Sequence, residues 1–275
     1  MTYLFLQKKI EKELNDSGVD SPHFSSKILI THFLDIPQYV LFMNSEISEK
    51  SEKLENLYGA LLKVKNGYPI DYVLGYKYFF NLKISIDNNT LIPRPETEGL
   101  VDLVIKENKN YSKNFADVGT GSGAIALKLA DTYPGSKVYA TDIYKKTLDK
   151  AIENSKILKI KNIFFLLGEN YKPLKNYISK INIIVSNPPY IKTSLINNLE
   201  PKVRNYEPIY ALDGGENGTD IIKELVLNLP EKTKLYLEIA DYNIPSIIKC
   251  CKAKMFSWRF EKDIFNKLRY AVINE

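Results

Sequence analysis

Apolar residues recur at three- and four-residue intervals through the first quarter of the chain. Leu4, Leu6, Ile10 and Leu14 form one such stripe, which closes near Ser17-Gly18. Ser21-Pro22 opens a second helical pattern carrying Phe24, Ile28, Leu29, Thr31 and His32, and Pro37 starts a short third with Val40 and Leu41. Residues 51–65 hold Leu54, Leu57, Tyr58, Leu61, Leu62 and Val64 before Asn66-Gly67 ends that helix. The pattern then changes. Across 78–89 the positions Phe79, Leu82, Ile84 and Ile86 alternate towards a turn at Asp87-Asn88-Asn89, which predicts a hairpin. Two prolines in 91–98 fix an extended lead into a helix through Val104, with Glu96 and Glu98 suited to its first turn. Beyond it, apolar runs at 115–118, 137–141, 162–167, 181–186 and 234–239 alternate with helical patterns, and 256–261 and 269–274 add two closing strands. This alternation predicts an α/β fold, a mostly parallel sheet covered on both faces. The expected organisation is a helical bundle over 1–75, a bridging hairpin and linker over 76–95, and an α/β domain over 96–275.

Composition narrows the class. With 275 residues and 44% hydrophobic content the chain can fill a sizeable core, yet no stretch is long and apolar enough to cross a bilayer. Lys8 and Lys9 follow only a few apolar positions, so the first ten residues lack the ordered regions of a secretory signal. Cys250 and Cys251 are adjacent and cannot build a disulfide framework, and His23 and His32 are the only histidines. A cytoplasmic protein with no metal site is expected. Residues 1–75 carry eight Lys/Arg against ten Asp/Glu, net −2, which leaves +7 for the rest. A mildly basic C-terminal part could meet RNA. Ordinary solvated lysine explains it better, so no direct nucleic-acid contact is expected.

Candidate chemistry concentrates at Asn187-Pro188-Pro189-Tyr190, which ends the apolar run 181–186. The prolines stop the strand and aim the backbone rigidly. Asn187 then offers an acceptor beside the Pro188 carbonyl, a pair suited to the two hydrogens of a planar –NH2 group, and Tyr190 offers a flat ring to stack on it. On these four residues alone, a proline-stopped turn capped by Asn remains open. Upstream, a strand at 115–118 runs straight into Gly119-Thr120-Gly121-Ser122-Gly123 and a helical pattern. Strand, glycine-rich turn and helix make the context of a nucleotide-type site. Asp142 ends the next strand about 20 positions on, where a carboxylate grips ribose hydroxyls. The spacing G-x-G-x-G differs from the dinucleotide G-x-G-x-x-G and leaves both readings open on glycines alone. Joined with Asn-Pro-Pro-Tyr, it looks like a class I methyltransferase that uses S-adenosylmethionine and acts on a planar amino or amide nitrogen.

Over nearly its whole length the chain resembles the HemK/PrmC family, the glutamine N5-methyltransferases of peptide-chain release factors. The matching pieces are 69–75 (Pro-Ile-Asp-Tyr-Val-Leu-Gly), 91–98 (Leu-Ile-Pro-Arg-Pro-Glu-Thr-Glu), 117–123, 186–191, and 203–208 (Val-Arg-Asn-Tyr-Glu-Pro), which leads into Ala211-Leu212-Asp213-Gly214-Gly215 and Gly218-Thr219-Asp220. The glycine loop is shared by all class I methyltransferases. Pro-Arg-Pro-Glu-Thr-Glu and Arg-Asn-Tyr-Glu-Pro at these distances are far more specific. The resemblance implies a Rossmann-like seven-stranded catalytic domain behind a helical substrate-recognition domain, and a monomer methylating the glutamine of a Gly-Gly-Gln motif in release factors. It implies that 119–123 line the cofactor, that Asp142 holds the ribose, and that Asn187, Pro188, Pro189 and Tyr190 hold the glutamine amide. Arg94 is expected to be ordered by a carboxylate. The family commonly has Asp and an apolar residue after the third strand, whereas this chain has Gly168-Glu169-Asn170-Tyr171. A shifted adenine contact through Glu169 and Asn170 is therefore expected. Two rival readings share these motifs: an N6-adenine DNA or RNA methyltransferase gripping a flipped base, and a non-catalytic protein that docks on the translation apparatus.

Overall fold

The computed structural model describes residues 1–43, 45–47, 51–109 and 113–274. Two compact units emerge, Met1–Gly75 with Glu200–Tyr206, and Tyr76–Leu199 with Glu207–Glu275.

The first unit is helical. The stripes of α1 (Tyr3–Asp16), α2 (Pro22–Leu34) and α3 (Ser51–Lys65) bury Leu6, Ile10, Leu14, Leu29, Ile30, Leu34, Leu57 and Leu61 against one another. The segment begun by Pro37 is a 3-10 turn, Gln38–Phe42. Helix α4 (Ile70–Leu74) ends at Gly75, whose φ of 76° suits a helix C-terminus.

The second unit opens with a hairpin, β1 (Tyr76–Phe79) and β2 (Leu82–Ser85). Phe80-Asn81 connects its strands, so the expected turn at Asp87-Asn88-Asn89, which does form, follows the hairpin rather than closing it. Phe80 takes φ 52°, an unusual state for an aromatic residue, while its N–H donates to the Glu98 carboxylate at 2.6 Å. Asp87 instead folds a separate turn closed by Thr90. The sheet then follows the expected strands, with ends moved by one or two residues. In chain order these are β3 (Phe115–Val118), β4 (Val138–Asp142), β5 (Ile163–Leu167), β6 (Ile183–Ser186), β7 (Lys234–Glu238), β8 (Trp258–Lys262) and β9 (Leu268–Ile273). Its helices are α5 (Pro95–Glu107), α6 (Ala124–Thr132), α7 (Lys145–Ile157), α9 (Asp220–Leu227) and α10 (Ile244–Lys254).

The sheet order is β5-β4-β3-β6-β7-β9-β8. The first five strands run parallel, and β9 and β8 pair antiparallel. Strands β3, β4 and β6 are buried along their whole length, as double coverage by helices requires. From β3 the chain steps outward to β4 and β5, then returns to β6 on the other side, so the order reverses at β3/β6. A ligand crevice is expected outside the carboxyl ends of the strands at that point.

One segment departs from the unbroken 96–275 domain. The short helix α8 (Pro201–Arg204) and its flanks belong to the helical unit. There Tyr206 sets its ring edge-on to Tyr68 at 4.8 Å and donates its hydroxyl to the Asn66 carbonyl, and Lys202 pairs with Asp20 at 2.7 Å. The 76–85 hairpin lies wholly within the second unit. No helix among the described residues is long and apolar enough to cross a membrane.

Candidate active site

A cavity of about 540 Å³ opens at the switch point, lined from the ends of β3, β4, β5 and β6. Gly119, Thr120, Gly121, Ser122, Asp142, Glu169, Asn170, Asn187, Pro188 and Pro189 all line it; Gly123, Tyr190 and Arg94 do not.

The glycine loop is shaped by its own hydrogen bonds. Gly119 and Thr120 donate to the Thr141 carbonyl at 2.9 and 2.8 Å, and Gly121 donates to Asp142 at 3.0 Å. These N–H groups are therefore spent on the fold. What the loop offers a ligand is backbone without Cβ atoms, with φ of 74° and 59° at Gly119 and Gly121. Behind the loop, Asp117 is fully buried and accepts from the Thr120 hydroxyl at 2.6 Å and from Ala126 N–H at 3.1 Å, so it caps α6 from the strand. Its other oxygen has no partner among the described residues, and burial pushes its carboxyl up to about 7.

Asp142 accepts from Gly121 N–H through one oxygen and from Tyr144 N–H through the other, both at 3.0 Å. Burial raises its carboxyl despite these donors. One lone pair on each oxygen remains for a pair of hydroxyls. At the end of β5, Glu169 turns to an ion pair with the exposed Lys172, while the Asn170 amide nitrogen is buried without a partner among the described residues. Asn170 sits at φ 48°, a conformation its side chain tolerates. Tyr144 and Tyr210 meet along the wall with ring centroids 4.0 Å apart and planes tilted by 36°, and Tyr210 donates to the Asn89 carbonyl at 2.8 Å.

The Asn187 loop is buttressed from behind. Ile191 forms a parallel bridge with Asp213, donating its N–H to the Leu212 carbonyl and accepting the Gly214 N–H. A Cβ on Gly214 would stand 2.7 Å from the Pro189 carbonyl and 2.9 Å from Tyr190 Cα, so only glycine permits this approach. Asn187 donates its amide nitrogen to Thr97 Oγ1 at 2.9 Å, and no described group donates to its Oδ1. Tyr190 turns its hydroxyl to the buried Glu238 at 3.1 Å and packs against the core around β7.

The segment leading into α5 organises these parts. Arg94 forms an ion pair with the buried Glu207, which also accepts from Ile92 N–H at 3.3 Å. Thr97 bonds Asn187 and Glu238, Glu98 holds the hairpin turn, and the Glu96 carbonyl receives the Tyr270 hydroxyl at 2.8 Å. Sequence reasoning assigned no role to Thr97, Glu238, Tyr144 or Tyr210. The available signal for Glu238 was an acid closing an apolar strand.

Residues 97–199 match the family described as Methyltransferase small domain, and residues 6–75 match PrmC N-terminal domain. A release factor glutamine methyltransferase from Thermodesulfovibrio yellowstonii is 38% identical over 205 residues, covering 73% of this chain and 72% of the relative. One from Flavobacterium psychrophilum is 33% identical over 257 residues, 90% of each chain. Among solved structures, the human Mettl16 catalytic domain in complex with the MAT2A 3'UTR hairpin 6 aligns with a TM-score of 0.57 at 15% identity over 85% of both chains. At that identity the likeness shows the fold, a class I methyltransferase sheet.

Proposed function

This chain belongs to the release factor glutamine methyltransferase family, and from that premise we propose that it methylates the side-chain amide N5 of the glutamine in the Gly-Gly-Gln motif of peptide-chain release factors. It is an enzyme, and its methyl donor is S-adenosylmethionine. When bound, that cofactor supplies an electrophilic methyl group on a sulfonium sulfur.

The observation that carries the substrate assignment is the Asn187 amide, whose nitrogen is committed to Thr97 and whose oxygen is left for the cavity. Amide nitrogen is a poor nucleophile because its lone pair is delocalised into the carbonyl. Asn187 Oδ1 and the Pro188 carbonyl together accept both amide hydrogens, which favours electron density on nitrogen as the nitrogen–methyl bond forms, and one of those hydrogens then leaves as a proton to water. The rigid Pro-Pro backbone holds these acceptors in place, and positioning supplies much of the acceleration. Tyr190 contributes through its hydroxyl on Glu238 rather than by lining the cavity.

The remaining residues fit the cofactor. The cavity volume lies in the range usual for cofactor sites, about 300–1,000 Å³. Asp142 holds the ribose hydroxyls through its spare lone pairs. The orphaned Asn170 amide nitrogen supplies a buried donor for the adenine ring, a better candidate than Glu169, which is engaged by Lys172 at the surface. The loop residues Gly119–Ser122 would accommodate the methionine part. The helical unit recognises the release factor, and the working form is a cytoplasmic monomer with no nucleic-acid partner. The two free, buried cysteines suit a reducing compartment.

The test is methyl transfer from labelled S-adenosylmethionine to a purified release factor, beside its Gln→Ala variant and a duplex DNA control. Label is expected in the release factor alone and lost with Gln→Ala. Asn187→Ala is expected to lower kcat at least 100-fold with cofactor affinity retained. Label in DNA would reverse the substrate assignment in favour of adenine.

A further inference from the structure

Asn187 works as an acceptor only if its amide is turned the right way. An asparagine side chain is nearly symmetric in shape, and a half-turn about its last bond exchanges the oxygen for the NH2 group. The wrong orientation would face two donors against the two hydrogens of the substrate amide. Something must therefore select the orientation before substrate arrives.

We propose that Glu238 and Thr97 are positioning residues that fix the Asn187 amide, acting as a relay of hydrogen-bond polarity. Glu238 ends β7, the strand beside β6, and is 1% exposed. Its Oε2 accepts the Thr97 hydroxyl at 2.7 Å, and its Oε1 accepts the Tyr190 hydroxyl at 3.1 Å. A threonine hydroxyl has one hydrogen. With that hydrogen drawn to an ionised carboxylate, Thr97 Oγ1 presents only lone pairs to Asn187. Asn187 answers with its NH2 group at 2.9 Å, and Oδ1 is left on the opposite side. Polarity thus passes from carboxylate to hydroxyl to amide. Bonds to a charged acceptor are the stronger kind, so the carboxylate is what makes the choice firm. The inference rests on the reading that Asn187 accepts the substrate hydrogens.

The relay has an internal switch. If Glu238 is protonated, its carboxyl becomes a donor and can give its hydrogen to Thr97. Thr97 then donates to Asn187, whose oxygen turns away from the cavity. Around Glu238 stand Thr97 and Glu96 from α5, Tyr190 from the loop after β6, and Arg269 and Tyr270 from β9. Burial, reinforced by Glu96, raises its carboxyl above the usual glutamate value, while Thr97, Tyr190 and Arg269 oppose this. Protonation of Glu238 is accordingly expected to contribute an acid limb to kcat.

The test compares Thr97→Val, Thr97→Ser and Glu238→Gln with the wild type, using release factor and S-adenosylmethionine as substrates. Thr97→Val keeps the shape and removes the hydroxyl. It is expected to lower kcat at least 10-fold with the dissociation constant of S-adenosylhomocysteine within about twofold, and Thr97→Ser is expected to restore most of the loss. Glu238→Gln removes the titrating group and is expected to erase the acid limb. A Thr97→Val enzyme with wild-type kcat, a Thr97→Ser enzyme as slow as Thr97→Val, or an acid limb that persists in Glu238→Gln would each overturn the relay. The Glu238→Gln profile decides the matter if Thr97→Val does not fold. Asn187→Ala run alongside separates the two levels: full activity there removes the reading of Asn187 itself, whereas loss there with an active Thr97→Val removes the relay alone.

Discussion

Asp117 shows how a residue can serve a site without facing it. Its carboxylate caps α6 and ties Thr120, yet one oxygen is buried without a partner among the described residues and burial pushes the group up to about 7. Because that value lies above the ordinary 3.8, the folded state holds the proton more tightly than the unfolded chain. The contribution to stability is therefore complete below about pH 4 and is lost as pH rises towards 7, by up to about 1.4 kcal/mol per pH unit. Asp117→Asn, which cannot ionise, is expected to lack this slope. Urea midpoints for both proteins between pH 5 and 8 test it, and parallel curves would show that Asp117 does not titrate in this range. At this scale the sequence was most readable where chemistry is local. Asn187, Gly119, Gly121 and Asp142, which line the cavity, were singled out because each motif carries its own context within a few residues. Thr97 and Glu238 were not, since their bond spans 141 positions and exists only once α5 packs against β7.

Elements here are joined by single polar side chains, and Asn154 is the clearest case. It lies fully buried on α7 and bonds Ser85 N–H, the Ser85 carbonyl and the Ser122 carbonyl, all at 2.8–2.9 Å. One residue thus fastens the β1–β2 hairpin to the glycine loop. Asn154→Ala would leave three backbone groups unpaired in the interior, and the expected cost is about 2–4 kcal/mol of stability. Cofactor affinity should fall with it, because Ser122 lines the cavity. Denaturant unfolding and calorimetric titration with S-adenosylhomocysteine check the two effects; a stable variant with reduced affinity would mean that the loop, not the hairpin, depends on Asn154. The hairpin also shows why an element can be sensed and its turn misplaced. Asp87-Asn88-Asn89 has turn composition and does turn, whereas Phe80-Asn81 carries little of that signal. What selects Phe80 is the Glu98 carboxylate 18 residues later, a tertiary contact that overrides local preference.

For the whole molecule, the division into two compact units confines the cavity to one part of the chain. Every residue lining the cavity belongs to the second unit, while α1, α2 and α3 belong to the first. Alternating strand and helix patterns after a purely helical stretch made this division readable. The return of Glu200–Tyr206 to the helical unit was not readable, because it depends on Tyr206 meeting Tyr68 and Asn66 far back in the chain. A ligand that binds only the native second unit stabilises it by mass action, about 2.7 kcal/mol at 100 times the dissociation constant. Local opening around the cavity should be suppressed by a similar amount, and amide exchange reads such openings segment by segment. Saturating S-adenosylhomocysteine is therefore expected to slow exchange in the 119–126, 142–148 and 168–171 amides, with α1 to α3 changed far less. Mass-spectrometric exchange on the full chain, with and without ligand, makes the comparison. Equal slowing in α1 to α3 would mean that cofactor binding is coupled energetically to the helical unit, and that recognition of the release factor should then tighten when the cofactor is present.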